Sequence, residues 1–178
     1  MYLNELIKHK FFTDFSINQL KHYIDSNLIT FKQYKKGHIL HSECEPCFNL
    51  DIIISGNLNC YDLCEDGNAL TMLNFHKDDI IGGNLLFSDR TFYPLNIHCK
   101  TDCLIAHLSK EVVSKLLIEN NTFMIEFIKA ISNNSLNLNK KMIIFSRKNL
   151  REGIMEFLKT QSKKQNSNII KLPITKNN

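Results

Sequence analysis

The chain opens on Met1-Tyr2-Leu3-Asn4-Glu5, with no basic stretch leading into a long apolar one, and none of its apolar runs is long enough to cross a bilayer. Neither a secreted nor a membrane-spanning product is expected, and a cytoplasmic one is. In that reducing setting the six cysteines are expected as free thiols rather than disulfides. There is no internal repeat and no low-complexity segment, although Asn is frequent. No Walker loop and no Ser-His-Asp order is evident, so nothing points to catalysis. No strand-like run alternates with a long helical one, which argues against a parallel α/β sheet.

What is present suits one folded core with an appendage. Of 178 residues, 43% are hydrophobic and 22% charged, the balance of an ordinary folded chain. The net charge of +4 is unevenly placed: from Lys140 onward ten lysines and arginines stand against Glu152 and Glu156. The C-terminal end is therefore the basic end, as a DNA-facing segment would be.

Three periodicities succeed one another. Near the start, Ser16 with Gln19 three residues on reads as a capping box, introducing Ile17, Leu20, Tyr23 and Ile24 at helical spacing and a helix to about Asp25. From residue 28 to about 108, short apolar or alternating runs are broken by turn signals. These include Lys36-Gly37, Ser55-Gly56-Asn57, Glu65-Asp66-Gly67-Asn68, Asp78-Asp79 and Gly82-Gly83, with one last run over 95–108. Such spacing indicates an antiparallel β-sandwich or jelly roll.

After Ser109, which can cap a helix with Glu111 near its positive end, the period is helical. Val112, Val113, Leu116 and Leu117 form one apolar face, Asn120-Asn121 a break, and a longer helix follows. Along it Met124, Ile131, Leu138 and Phe145 recur every seven residues, with Phe127 or Ile128, Ser135 and Met142 between them. That stripe is what two helices need to pack knobs into holes, so a homodimer interface is expected there. Residues 149–160 read as a further helix, 163–167 as a polar loop and 169–172 as a short strand ended by Pro173, with Thr175 placed as an N-cap.

Several of these segments, in this order, resemble the CRP/FNR superfamily of bacterial transcription regulators. Leu50-Asp51-Ile52-Ile53-Ile54-Ser55-Gly56-Asn57-Leu58 resembles its strand–Gly–strand signature, and Glu65-Asp66-Gly67-Asn68 its next hairpin tip. Asp78-Asp79-Ile80-Ile81-Gly82-Gly83-Asn84-Leu85-Leu86-Phe87 is similar to the approach to the phosphate-binding cassette. Leu150-Arg151-Glu152-Gly153-Ile154-Met155-Glu156-Phe157-Leu158 is similar to the first helix of the DNA-binding domain, and Lys171-Leu172-Pro173-Ile174-Thr175 to the strand before its helix-turn-helix.

The resemblance implies a mainly β fold with α: an antiparallel, cyclic-nucleotide-binding-like jelly roll, flanked by short N-terminal helices and followed by a long C-terminal dimerisation helix. It places a sensor domain in residues 1–108, a helical linker and dimerisation helix in 109–146, and the start of a truncated winged helix-turn-helix in 147–178. It also implies an effector-sensing, non-enzymatic role, with DNA and RNA polymerase as partners only through the full-length protein. No cofactor is implied beyond a small-molecule effector of unknown identity.

Two departures stand against a cyclic-nucleotide ligand. The resembled cassette uses a Glu for the ribose and an Arg and a Ser or Thr for the phosphate. Here Gly83 stands in the Glu position, and Tyr93 and Pro94 in the other two. A buried phosphate without a cation is costly, so cyclic AMP is not expected to bind. A remnant pocket would be lined by Gly82, Gly83, Asn84, Leu85, Tyr93 and Pro94, with Leu138 and Asn139 reaching in from the central helix. Such a lining suits a neutral or weakly polar molecule.

Two rival chemistries are weaker. Cys44-Glu45-Pro46-Cys47 has the spacing of a thiol or metal site, making a redox sensor on the same fold the alternative. Along a continuous strand, however, Cys60 and Cys64 would lie about 13 Å apart, and Cys99 and Cys103 likewise, so further ligands are not expected to converge. A cupin-like metalloenzyme would need an H-x-H, whereas His38 and His41 are three apart and face opposite sides of a strand. No metal site is expected. His76, His98 and His107 read as ordinary surface or core residues.

Overall fold

The computed structural model describes the backbone of residues 2–63 and 69–165, and their side chains except at 61–63, 69–72, 141, 143–153, 156, 157, 160 and 164. The first elements are a single helical turn, α1 (Leu3–Leu6), a 3₁₀ turn (Lys10–Phe12) and α2 (Ile17–Asp25). The capping box forms as expected: Gln19 N–H donates to Ser16 Oγ at 3.3 Å and Ser16 N–H to Gln19 Oε1 at 2.9 Å. Leu20 and Tyr23 then turn into the core.

Eight strands follow: β1 (Ile29–Tyr34), β2 (Ile39–His41), β3 (Asn49–Ser55), β4 (Leu58–Leu63), β5 (Ala69–Phe75), β6 (Ile80–Ile81), β7 (Asn96–Cys99) and β8 (Cys103–Ser109). They pair antiparallel in two four-stranded sheets, ordered β1-β8-β3-β6 and β2-β7-β4-β5, which is the expected jelly roll. β3 is covered on both faces, by the opposite sheet and by helices, so its sequence is a continuous apolar run rather than an alternation. Leu50, Ile52, Ile53 and Ile54 are all buried there. At roughly 1.5–3 kcal/mol for each such side chain, one strand supplies enough to carry the single carboxylate in its midst, Asp51.

The run over 95–108, expected as one strand, is two. β7 belongs to one sheet and β8 to the other. The polar Lys100-Thr101-Asp102 carries the chain across, with Lys100 N–H donating to Asn57 O at 2.8 Å. Periodicity missed the step because Ile97, Cys99, Cys103 and Leu104 all remain buried across it. The turn leans on Gly56, at φ +97, where a Cβ would meet both Asp102 O and Cys103 Sγ at 2.5 Å.

α3 (Lys110–Glu119) starts at Ser109, whose Oγ accepts from Val112 N–H at 3.3 Å, and stops at Asn120. Asn120 in turn caps α4 (Asn121–Gln165), accepting from Phe123 N–H at 2.7 Å. Val112, Val113, Leu116, Phe123 and Phe127 are buried in the same core as the sheets. One compact unit therefore runs over 1–135 and a second over 136–178. α4 continues through Ser146 and as far as Gln165, so neither a break after 146 nor a loop beginning at Lys163 is seen. No proline interrupts it, and a lone Gly153 costs only about 1 kcal/mol. The strand expected at 169–172 and the cap at Thr175 lie outside the described residues.

The seven-residue stripe on α4 is divided. Phe127 is buried on its own domain, stacked against Phe123 and edge-on to Phe87, rather than free for a partner. Its periodicity served an intramolecular face, which has the same repeat as a helix–helix seam. Ile131 packs beside Gly83 and Met124 is half-buried, whereas Ile128, Ser135 and Met142 are exposed. The Phe145 side chain lies outside those described.

Candidate effector-binding site

After β6 the chain turns at Gly82, at φ +83, whose carbonyl accepts from Leu85 N–H and Leu86 N–H, both at 2.9 Å. A Cβ at Gly82 would lie 2.8 Å from Asn49 O, 2.9 Å from Cys47 Sγ and 3.2 Å from the Tyr93 hydroxyl. Only glycine lets these three groups close in. At Gly83 a Cβ would meet Ile80, Leu50 and Ile131 atoms at 2.9 to 3.6 Å. The position expected to carry a ribose-binding Glu is thus ringed by hydrocarbon, where a carboxylate would have no partner.

Tyr93 is 2% exposed and stacks on His41, with ring centres 4.0 Å apart. Its backbone is pinned by Tyr93 N–H to Glu45 O at 2.9 Å and Cys44 N–H to Tyr93 O at 2.8 Å. Its hydroxyl faces the Cys47 thiol. Burial pushes the phenol well above its ordinary pKa, and the Asp51 charge and the Cys47 thiol push it further, so Tyr93 stays neutral. Burial likewise raises the Cys47 thiol, which also donates to Asn49 O at 3.4 Å. Of the other expected pocket residues, Asn84 and Pro94 are exposed and Leu85 half-buried. Leu138 and Asn139 belong to the second unit. Arg90, the nearest cation in sequence, is exposed.

Behind Tyr93 lies a cluster that sequence reasoning missed. Asp51 is fully buried, and its carboxylate lies 2.5 Å from His41 Nε2 and 2.6 Å from His107 Nδ1. His41 Nδ1 in turn lies 3.1 Å from Glu45 Oε1. Two ionised carboxylates can only accept, so His41 satisfies both by carrying both protons as an imidazolium. On its other side, His107 Nε2 lies 3.0 Å from the Tyr34 hydroxyl.

Burial opposes these charges, but the partners outweigh it. It would lower His41, whose pKa is instead raised by hydrogen bonds and charge from Asp51 and Glu45. It would raise Asp51, which His107 and His41 hold below the ordinary carboxylate range. Glu45 is also lowered, against its burial, by Ser42 N–H and His41.

The arrangement disfavours an anion. The groups that close on Gly82 and Gly83 are Asn49 O, Cys47, Tyr93, Ile80, Leu50 and Ile131, none of them a cation, and His41 behind Tyr93 is already matched by two carboxylates. Asp51 was legible only as a lone acid inside an apolar strand; its histidines stand ten and fifty-six residues away.

The other sequence candidates are dispersed. His38 is exposed, near the Tyr34 ring, while His41 turns inward, as strand alternation requires. Cys44 is exposed and Cys47 buried, and no group of His, Cys, Asp and Glu suited to a metal occurs among the described residues. One expectation fails: Cys99 and Cys103 do not lie along one continuous strand. Cys99 ends β7 and Cys103 begins β8, and the chain turns between them. Cys64 lies outside the described residues.

The description "Cyclic nucleotide-binding domain" belongs to the family model that matches residues 31–120. The anaerobic regulatory protein of Bacillus subtilis (strain 168) is 28% identical over 116 residues, which are 65% of this chain and 49% of that protein. The chain thus matches about half the length of that curated relative. In fold it is similar to a transcriptional regulator from Thermotoga maritima, with TM-score 0.61, 22% identity, and coverage of 72% of this chain and 98% of that one. It is also similar to the sensor domain of the transcriptional regulator DNR from Pseudomonas aeruginosa, with TM-score 0.58, 18% identity, and coverage of 79% and 91%. These findings bear out the resemblance to CRP/FNR-type regulators. No helix among the described residues is long and apolar enough to cross a membrane.

Proposed function

The chain belongs to the cyclic nucleotide-binding domain family, and on that premise we propose that it is the effector-sensing and dimerisation part of a cytoplasmic, non-enzymatic CRP/FNR-type regulator that does not respond to cyclic AMP. One observation carries the reading. The position that would hold the phosphate is a buried, neutral Tyr93, backed by the Asp51 carboxylate. A cyclic phosphate seated there would lose its water without gaining a cation, a penalty of several kcal/mol in a buried site. An effector for this cassette is neutral or weakly polar, and DNA and RNA polymerase are partners of the longer protein only.

A thermal-shift and calorimetric titration with cyclic AMP tests this. No shift is expected at millimolar nucleotide; binding at micromolar concentration overturns the reading. The second copy docks along α4 through Ile128, Ser135 and Met142, the accessible part of the stripe. Sedimentation should show a dimer that I128E converts to monomer with an unchanged circular dichroism spectrum. A wild-type chain that stays monomeric at high concentration removes that interface.

A further inference from the structure

Of the two carboxylates that meet His41, the one that reaches water belongs to the turn that holds Tyr93. The Glu45 side chain is 41% exposed and that of Asp51 not at all, yet they lie 3.1 Å and 2.5 Å from the two nitrogens of the same ring. Residues 42–45 form a tight turn, with Glu45 N–H donating to Ser42 O at 3.1 Å and Ser42 N–H to Glu45 Oε2 at 2.8 Å. Tyr93 hangs from that turn by its main chain, its N–H donating to Glu45 O and its carbonyl accepting from Cys44 N–H. Its ring lies on that of His41, with 10° between the planes. The geometry points to a proton-operated latch: His41 as imidazolium holds the 42–45 turn and Tyr93 against the cassette, and releases them when it loses a proton.

Donors and exposure decide which bond breaks. The imidazolium gives one N–H to each carboxylate. A neutral ring keeps a single proton, and it stays on Nε2, because the buried Asp51 has no water to turn to. Nδ1 then presents a lone pair to the Glu45 carboxylate, acceptor against acceptor, where little water screens the charge. Glu45 can leave for solvent. The turn loses its tie to β2 and carries Tyr93 with it. The bond from Glu43 N–H to Asn96 Oδ1, at 3.0 Å, involves no titrating proton and serves as the pivot.

The titratable groups that face the ring are Asp51 on β3, Glu45 in the turn and Tyr93 stacked on it. Cys47 meets the Tyr93 hydroxyl at Gly82, and His107 on β8 and Tyr34 on β1 lie beyond Asp51. Burial would discharge His41, but the two carboxylates outweigh it and raise the pKa above its ordinary value. The latch is therefore closed below that raised value and opens as pH rises through it. Release uncovers Gly82, on which Cys47 Sγ and the Tyr93 hydroxyl close. An effector of this cassette would then be admitted at alkaline pH, a consequence that rests on the proposed function, whereas the latch itself does not.

Cys47, buried beside the Tyr93 hydroxyl, reports the opening. The whole chain and its Glu45→Gln variant are alkylated with iodoacetamide from neutral to alkaline pH, and the rate at each cysteine is read by mass spectrometry. In the variant the amide nitrogen donates to the neutral ring and the amide oxygen accepts from Ser42 N–H, so it stays latched at every pH. Comparing the two chains at one pH removes the thiol's own ionisation from the ratio. No effector enters the test, so its failure leaves the effector reading standing, and cyclic AMP binding would leave the latch standing. The Cys47 rate of wild type over that of the variant should rise by up to about tenfold per pH unit while His41 titrates, followed by nitrogen-15 NMR of the ring, and then level off. A flat ratio overturns the latch, as does one that rises on acidification. Labelling of the buried Cys99 and Cys103 in step with Cys47 would mean that the whole domain opens, and also overturns it.

Discussion

Two buried histidines show how differently the same side chain is handled within one domain. His9 is 3% exposed, stacked on Phe11 with ring centres 5.2 Å apart, and its nearest acid is the half-exposed Asp78 at 3.5 Å. There burial prevails over Asp78, and the pKa falls from 6.5 to about 4. His41 is similarly enclosed, but a fully buried carboxylate lies 2.5 Å away, and its pKa rises. Burial sets the sign only where no opposite charge is buried alongside. A carboxylate in water is screened; one without water is not.

The largest effect expected from breaking this contrast is at Asp51. Asp51→Asn leaves the His41 imidazolium buried beside a neutral amide, and removing one partner of a buried pair costs on the order of 3–5 kcal/mol. Urea denaturation should show that loss. The pH dependence carries the sign. Asp51's contribution is complete above the ordinary carboxylate pKa and is lost as pH falls through its lowered folded value. His41's is complete below the ordinary imidazole pKa and is lost as pH rises through its raised folded value. The wild-type cluster therefore stabilises most between these limits, and Asp51→Asn should flatten both flanks. A variant as stable as wild type throughout would mean the cluster contributes nothing.

A smaller effect is expected at His9, in a different window. Its folded pKa of about 4 lies below the unfolded 6.5, so stability is complete above 6.5 and declines as pH falls toward 4. The shift corresponds to about 3 kcal/mol. His9→Phe keeps a ring against Phe11 but loses the bond that His9 Nδ1 accepts from Phe11 N–H. Its stability near neutral pH should change by less than about 1.5 kcal/mol, while the decline between 6.5 and 4 disappears. If thermal melts of this variant keep that decline, the titrating group is elsewhere.

Fold and site were unequally legible. The capping box at Ser16, the Ser109 cap, the Asn120 break and the sandwich itself all follow from spacing within a few residues, and each appears where expected. The split between β7 and β8 was hidden because both strands are inward-facing on either side of a three-residue turn. For the same reason Cys99 and Cys103 read as members of one strand when they belong to two. At the site, Gly82, Gly83 and Tyr93 were recognisable as departures from a phosphate-binding pattern. Their consequence depended on Asp51 and His41, which no local pattern joins to them.

Local backbone preference and the alternation of apolar side chains are properties of neighbouring residues. On those alone the chain determined its helices, its antiparallel sheets and the loss of a phosphate-binding cation. Which buried group meets which was decided only by the folded sandwich. Electrostatic and thiol contacts act through space over a few ångströms, and only there do Asp51, His41 and His107 come within that reach.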